Sequence, residues 1–183
     1  MSRGVPVDKQ SKDRSYQTPP AIRDAAASYF PGGVIPLDPF TSADNPMRAL
    51  DWCHPEGADG YLLPWHAVGG VFVNPPYGRP AIEKIGLEAA EGCEMVALLP
   101  VNRNETSYFQ RLILERARVV CWIRRRVAFI HPSTGERASG NPYTSALWGF
   151  NVDVGRFVRA FGRLGVCTSL QVVAPTPTDL VEW

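Results

Sequence analysis

The chain has no run of apolar residues long enough to cross a membrane as a helix, and its N-terminus lacks the apolar core of a secretory signal. Those two absences point away from an integral helical membrane protein and toward a cytoplasmic one. There is no C-x-x-C pair: Cys53, Cys93, Cys121 and Cys167 are scattered. That spacing argues against a zinc site or a disulfide framework and suits a reducing compartment. His54, His66 and His131 share no metal-ligand spacing, and the adjacent pair Cys53-His54 is poor geometry for a common metal, so no metal is expected. The missing G-x-G-x-x-G argues against a nicotinamide dehydrogenase. No internal repeat or low-complexity tract is present.

What is there is an ordinary globular balance. The 183 residues are 45% hydrophobic and 20% charged, which fits one domain with a substantial core. The net charge of +1 hides an uneven distribution. From Arg103 to Arg163 there are 11 arginines, no lysine and four acidic residues, while the rest of the chain has 8 basic and 14 acidic residues. Arginine grips phosphate through a bidentate fork, so the block reads either as a nucleic-acid face or as the solvated side of ordinary helices.

Proline, glycine and apolar periodicity divide the chain into alternating elements. The polar stretch 1–15 reads as a flexible arm. Helices are expected over Pro19–Phe30, over Asn45–Trp52 with Asn45 as cap, and over Pro80–Glu91, Thr106–Arg116 and Val154–Leu164. Strands are expected over Val34–Leu37, Val71–Val73, Met95–Leu99, Val119–Ile123, Val127–Ile130, Ser145–Phe150 and Val166–Val173, with a mobile loop over His131–Pro142. The alternation predicts a three-layer α/β sandwich around a mostly parallel sheet.

The most telling feature is Asn74-Pro75-Pro76-Tyr77, placed directly after the apolar run Val71–Val73. Ligands of open α/β sheets bind at the carboxyl ends of strands. The two prolines fix two φ angles and remove two N–H donors. What remains is a rigid group of acceptors, the Asn74 side-chain oxygen and nearby carbonyls, followed by an aromatic ring. Two acceptors and a ring suit a planar amino group on a base. The plainer reading is a proline-stiffened turn after a strand with Tyr77 packed on the surface, and the alternative to stacking for Tyr77 is core packing.

This segment resembles the N-P-P-Y motif of amino-methyltransferases that use S-adenosylmethionine. Further stretches in order resemble the phage-type, Dam-like DNA adenine-N6 methyltransferases. They are Tyr16-Gln17-Thr18-Pro19-Pro20, the run from Leu37-Asp38-Pro39-Phe40 to Asn45, Asp59-Gly60-Tyr61-Leu62 with Trp65, Ala97 to Pro100, Arg126 to Phe129, and Ser145-Ala146-Leu147. The likeness spans roughly 16–150. Arg125 stands where that family has glycine, and Pro39-Phe40 is similar to the Asp-Pro-Phe opening of other amino-methyltransferases.

The resemblance implies a Rossmann-like methyltransferase fold over 16–183 without a separate target-recognition domain. It implies catalysis by Asn74, Pro75, Pro76 and Tyr77, with the Asn74 side-chain oxygen and the Pro75 carbonyl holding the adenine amino group. Tyr77 would stack on an adenine flipped out of duplex DNA. Tyr16, Thr18, Pro19, Asp38, Pro39, Phe40, Asn45, Asp51 and Asp59 would bind S-adenosylmethionine, Thr18 mainly through its backbone. Arg103, Arg124, Arg125 and Arg126 would touch DNA phosphate, although the arginine triplet also reads as a charged strand edge. Specificity would come from loops such as Asn102–Thr106 and His131–Pro142, and a second subunit could complete the enzyme as a homodimer. RNA or protein-glutamine methylation, or a non-catalytic relative of the fold, are the alternatives.

Overall fold

A computed structural model describes residues 16–41, 43–53, 59–102, 104–138 and 143–171. The arm over 1–15, Arg103, part of the expected loop (139–142) and the end of the last expected strand lie outside these residues. One sheet holds seven strands: β1 (Leu37–Asp38), β2 (Asp51–Trp52), β3 (Val71–Val73), β4 (Met95–Pro100), β5 (Val119–Ile123), β6 (Ser145–Phe150) and β7 (Gly165–Ser169), in the order β2-β1-β3-β4-β6-β5-β7.

β4 and β6 are buried along their whole length, which is why they read as unbroken apolar runs. Alternate residues of β4 enter different cores. Val96 and Leu98 meet Ile22, Ala26 and Tyr29 of α1 (Pro20–Tyr29) and Phe157 and Phe161 of α4 (Val154–Phe161). Met95, Ala97 and Leu99 meet Ile82, Ile85 and Ala89 of α2 (Arg79–Ala90), together with Phe109 and Ile113. Helices therefore cover both faces, giving the three layers expected.

The sheet corrects the mostly parallel expectation. Strands β2, β1, β3 and β4 pair in parallel, but their ladders are short, and β1 meets β3 only at Leu37↔Val71. The long ladders are antiparallel: β4 to β6 along all of Met95–Pro100, then β6 to β5 and β5 to β7. Antiparallel ladders dominate because the second half of the chain returns through β6 and β7 instead of making further crossovers.

Three local expectations also change. The helix over Asn45–Trp52 is a loop leading into β2. Asn45 and Arg48 have φ of +44° and +54°, left-handed values that a helix does not tolerate. Leu50 and Asp51 instead donate backbone N–H groups to Ile35 and Pro36, drawing the chain alongside β1. The helix over Thr106–Arg116 starts as α3 (Ser107–Phe109) but widens into a π turn over Gln110–Leu114, closed by Glu115 N–H to Gln110 O at 3.0 Å. Val127–Ile130 forms no strand. Val127 and Phe129 are buried among α1 and α4, and Ile130 makes single antiparallel bridges to Gln17 and Arg137. Of the expected mobile loop, 131–138 forms a tight turn held by Gly135 N–H to His131 O and His131 N–H to Glu136 O.

Candidate active site

The chain leaves β1 for β2 on one side, while β3 leads to β4 on the other. Between β1 and β3 the strand order reverses, and a sheet of this kind opens a crevice at the carboxyl ends of such strands. Asp38 closes β1 there, and Asn74 follows β3.

Asn74 emerges half-buried from the fully buried Val71–Val73. Its Nδ2 donates to Thr18 Oγ1 at 3.2 Å, and among the described residues its Oδ1 accepts no hydrogen bond. Thr18 is 6% exposed and lies between two anchors. Gln17 exchanges both backbone hydrogen bonds with Ile130 at 2.9 Å, and the Pro19 carbonyl accepts from Ile22 and Arg23 as α1 begins. Tyr16 stands exposed, edge-on to the His131 ring at 5.8 Å.

Beyond Asn74, Pro75 is buried, and Tyr77 leaves 41% of its surface open. The Tyr77 hydroxyl lies toward Ser145. Burial pushes the phenol up to about 12, and Ser145 only partly opposes this. Among the described residues Ser145 Oγ is itself buried without a hydrogen bond of full geometry, so it acts on Tyr77 as a nearby dipole. Pro75, Tyr77, Leu99, Pro100, Tyr108 and Phe109 line a narrow apolar cleft on the α2 side. A wider hollow of about 480 Å³ opens beside Arg23, Ser28, Ile35 and Arg48, where β1 begins, at the opposite end of the sheet.

On the β1 side the three expected aspartates gather. Asp38 is 2% exposed and accepts one hydrogen bond, from Phe40 N–H at 3.2 Å. Desolvation pushes its carboxyl up to about 7, against smaller opposing effects of the Phe40 amide and Thr41. Thr41 Oγ1 is buried and makes no hydrogen bond of full geometry. Burial, then the charges of Asp51, Asp38 and Asp59, push the Cys53 thiol up, so all three carboxylates lie close enough for their charge to be felt at that sulfur. Asp51 lies exposed on the edge strand and accepts from Trp52 N–H; Asp59 accepts from Tyr61 N–H, both at 2.9 Å.

Pro39 and Phe40 form the floor between these groups. The Phe40 ring packs on Tyr61 at 4.7 Å and edge-on to Trp65 at 5.7 Å. Asn45 is used differently from the other expected cofactor residues. Its amide donates to Ala49 O and accepts from Ala49 N–H, closing the loop on itself.

The family model for DNA N-6-adenine-methyltransferase (Dam) matches residues 6–152. The chain belongs to the Dam family. No curated protein and no solved structure matches it. The Dam match covers β1 to β6 and every residue of the crevice, and it leaves out α4 and β7.

The Dam family acts on DNA, and the arginine block places only part of its charge at the crevice edge. β5 points its carboxyl end the same way as β3, since β6 is antiparallel to both β4 and β5. Arg124, Arg125 and Arg126 follow β5 there and are exposed. Arg163 is exposed at that end too, just before Leu164, whose carbonyl accepts from Arg124 N–H. Arg118 lies at the far end of β5, and Arg156 is taken up by Glu94 and the face of Tyr29. Sequence reasoning missed Thr41, Ser145, Arg163 and Trp122. Trp122, 41% exposed at the end of β5 and edge-on to Trp148, had a usable signal: an aromatic two residues before the arginine triplet.

No helix among the described residues is long and apolar enough to cross a membrane, and no group of three metal-ligating side chains gathers among them.

Proposed function

We propose that this Dam protein methylates N6 of an adenine extruded from duplex DNA, with S-adenosylmethionine as methyl donor. The observation that carries the reading is the Asn74 Oδ1, unpartnered among the described residues and set beside Pro75 and the Tyr77 cleft at the switch point of the sheet.

The donor set fits that cofactor. Asp38 is a buried carboxyl without a cationic partner among the described residues, and Thr41 Oγ1 is a buried hydroxyl without a hydrogen bond of full geometry. Buried polar groups are normally paired, and an uncompensated carboxylate is costly. A ligand carrying positive charge and hydroxyl donors would satisfy both. Asp38 and Thr41 would hold its methionine or ribose end, Phe40 would pack on its apolar faces, and Asp51 and Asp59 would accept from hydroxyl and amino groups. When bound, S-adenosylmethionine supplies an electrophilic methyl on a positively charged sulfur.

The chain's own part is acceptance and positioning. Asn74 Oδ1 and the Pro75 carbonyl take the two N6 hydrogens, which localises the nitrogen lone pair and aims it at the methyl. Both acceptors are neutral, and Tyr77 stays protonated at working pH, so the N6 proton departs to water. The Tyr77 ring stacks on the extruded base and offsets part of the few kcal/mol that flipping costs. Arg124, Arg125 and Arg126, together with Arg103, hold the phosphates, with Trp122 beside the triplet as an apolar contact.

The test is transfer of labelled methyl from S-adenosylmethionine to unmethylated duplex DNA, followed by nucleoside analysis. The expected product is N6-methyldeoxyadenosine, lost in Asn74→Ala. Label appearing on RNA or protein instead would move the substrate, and none at all would remove the catalytic reading.

A further inference from the structure

Thr18 and Asn74 lie 56 residues apart in sequence and meet through the 3.2 Å hydrogen bond from Nδ2 to Oγ1. An asparagine amide presents an acceptor or a donor depending on a half-turn about its last bond. Only the acceptor orientation suits an amino group, because the other turns N–H against N–H. We infer that Thr18 is a positioning residue: its hydroxyl holds the Asn74 amide in place, and in the arrangement seen it accepts the Nδ2 hydrogen and leaves Oδ1 for the substrate amino group. This rests on the reading of Asn74 as acceptor given above.

Thr18 is placed to act on Asn74 because its own backbone is fixed on both sides. The paired bonds between Gln17 and Ile130 hold one side, and the start of α1 at Pro19–Pro20 holds the other. The Ile130 segment begins where the exposed arginine triplet ends. The chain that would touch phosphate is therefore also the chain that seats Thr18 against Asn74. At 6% exposure the Thr18 hydroxyl is poorly placed to be replaced by free solvent. Without it, the Asn74 N–H in the productive orientation becomes a donor left without a partner near the protein interior.

The experiment uses the full chain, S-adenosylmethionine and unmethylated duplex DNA, and compares Thr18→Val with Thr18→Ser. Val keeps the shape and removes the acceptor, while Ser keeps the hydroxyl. Thr18→Val is expected to lower kcat about three- to tenfold, the loss typical of one hydrogen bond. KM for DNA and the calorimetric affinity for S-adenosylmethionine should stay within about twofold. Thr18→Ser should restore most of kcat. If Thr18→Val melts at a much lower temperature, Thr18→Ala against Thr18→Ser makes the same comparison, since both lack the methyl and only one keeps the hydroxyl. An unchanged kcat without the hydroxyl overturns the inference, as does weakened cofactor affinity with kcat retained, which would make Thr18 a cofactor contact. Asn74→Ala is run alongside. If it still methylates, the Asn74 reading itself fails. If it is inactive while Thr18→Val is normal, only the positioning role fails.

Discussion

Gly60 sits so close to the carbonyl oxygen of Pro39 that a β-carbon built on it would stand 2.0 Å from that oxygen. The Gly60 carbonyl also accepts from Trp65 Nε1 at 2.9 Å, so one small residue joins the turn after β1 to the Trp65 floor. Gly60→Ala must push Pro39 away from its place beside Asp38. The expected result is a loss of about 1–3 kcal/mol in stability, as for other overpacked sites. A larger fractional loss of S-adenosylmethionine affinity should accompany it. Thermal melts and calorimetry check both, and unchanged binding would mean that the Pro39 turn does not touch the cofactor.

Asp38 gives a pH signature. Its folded pKa is raised from 3.8 to about 7, so folding favours its protonated form. That contribution is complete below the unfolded pKa and is lost as pH rises through about 7. The apo protein should therefore melt at a lower temperature at pH 8 than at pH 5, the two pH units between 5 and the folded pKa being worth on the order of 3 kcal/mol. Asp38→Asn should flatten this dependence while weakening S-adenosylmethionine binding. A cationic ligand favours the carboxylate, so binding near pH 6.5 should release protons, about one at most. Calorimetry in buffers of different ionisation enthalpy measures that release. Proton uptake would contradict the assignment.

Tyr77 separates stacking from hydroxyl chemistry. Its phenol is held at about 12 and is neutral throughout the working range. Tyr77→Phe should keep most of the activity. Tyr77→Ala should raise KM for duplex DNA by roughly 1–3 kcal/mol in equivalent free energy. The loss should shrink on a duplex whose target adenine is mismatched, where less flipping work is needed. Equal losses on paired and mismatched targets would argue for a packing role.

The arginine triplet predicts a salt dependence. Arg124→Ala, Arg125→Ala and Arg126→Ala combined should weaken DNA binding and reduce the slope of log K against log salt by up to about 3, near 0.9 for each phosphate left without its arginine. Affinity for S-adenosylmethionine should not change. An unaltered slope in a fluorescence titration would make the triplet a solvated strand edge.

How much of this was legible in sequence depends on the range of the forces involved. The crevice around Asn74 could be read because an apolar run, two prolines and an aromatic are local signals with local causes. Asn45 misled for the same reason. Asn-Pro looks like a helix cap followed by its first turn, yet pairing of Leu50 and Asp51 with the chain before β1 decided the conformation. Nothing within 45–52 announces that pairing. The direction of β6 was equally hidden, because Ser145–Phe150 has the same apolar composition whether it runs with β4 or against it. The contact between Thr18 and Asn74, and the approach of Asp38, Asp51 and Asp59 to Cys53, join segments that only the folded sheet brings together. The resemblance implies a role for the Thr18 backbone at the cofactor; its side-chain contact with Asn74 is a separate feature that the sequence did not show.

The order β3-β4-β6-β5 has a consequence for how much DNA one molecule can feel. The row Val73–Ala97–Trp148–Val120 crosses those four strands, and β5 runs on to Ile123, so the end of β5 stands about 14 Å across and about 10 Å along from the end of β3, roughly 17 Å in all. Along a duplex that is roughly the rise of five base pairs. If the proposed roles hold, the ruler between the reacting base and the phosphates at the arginine triplet would be set by half the width of the sheet. A single copy reading through these elements has a footprint of a few steps, and a longer recognition sequence would require a second reader.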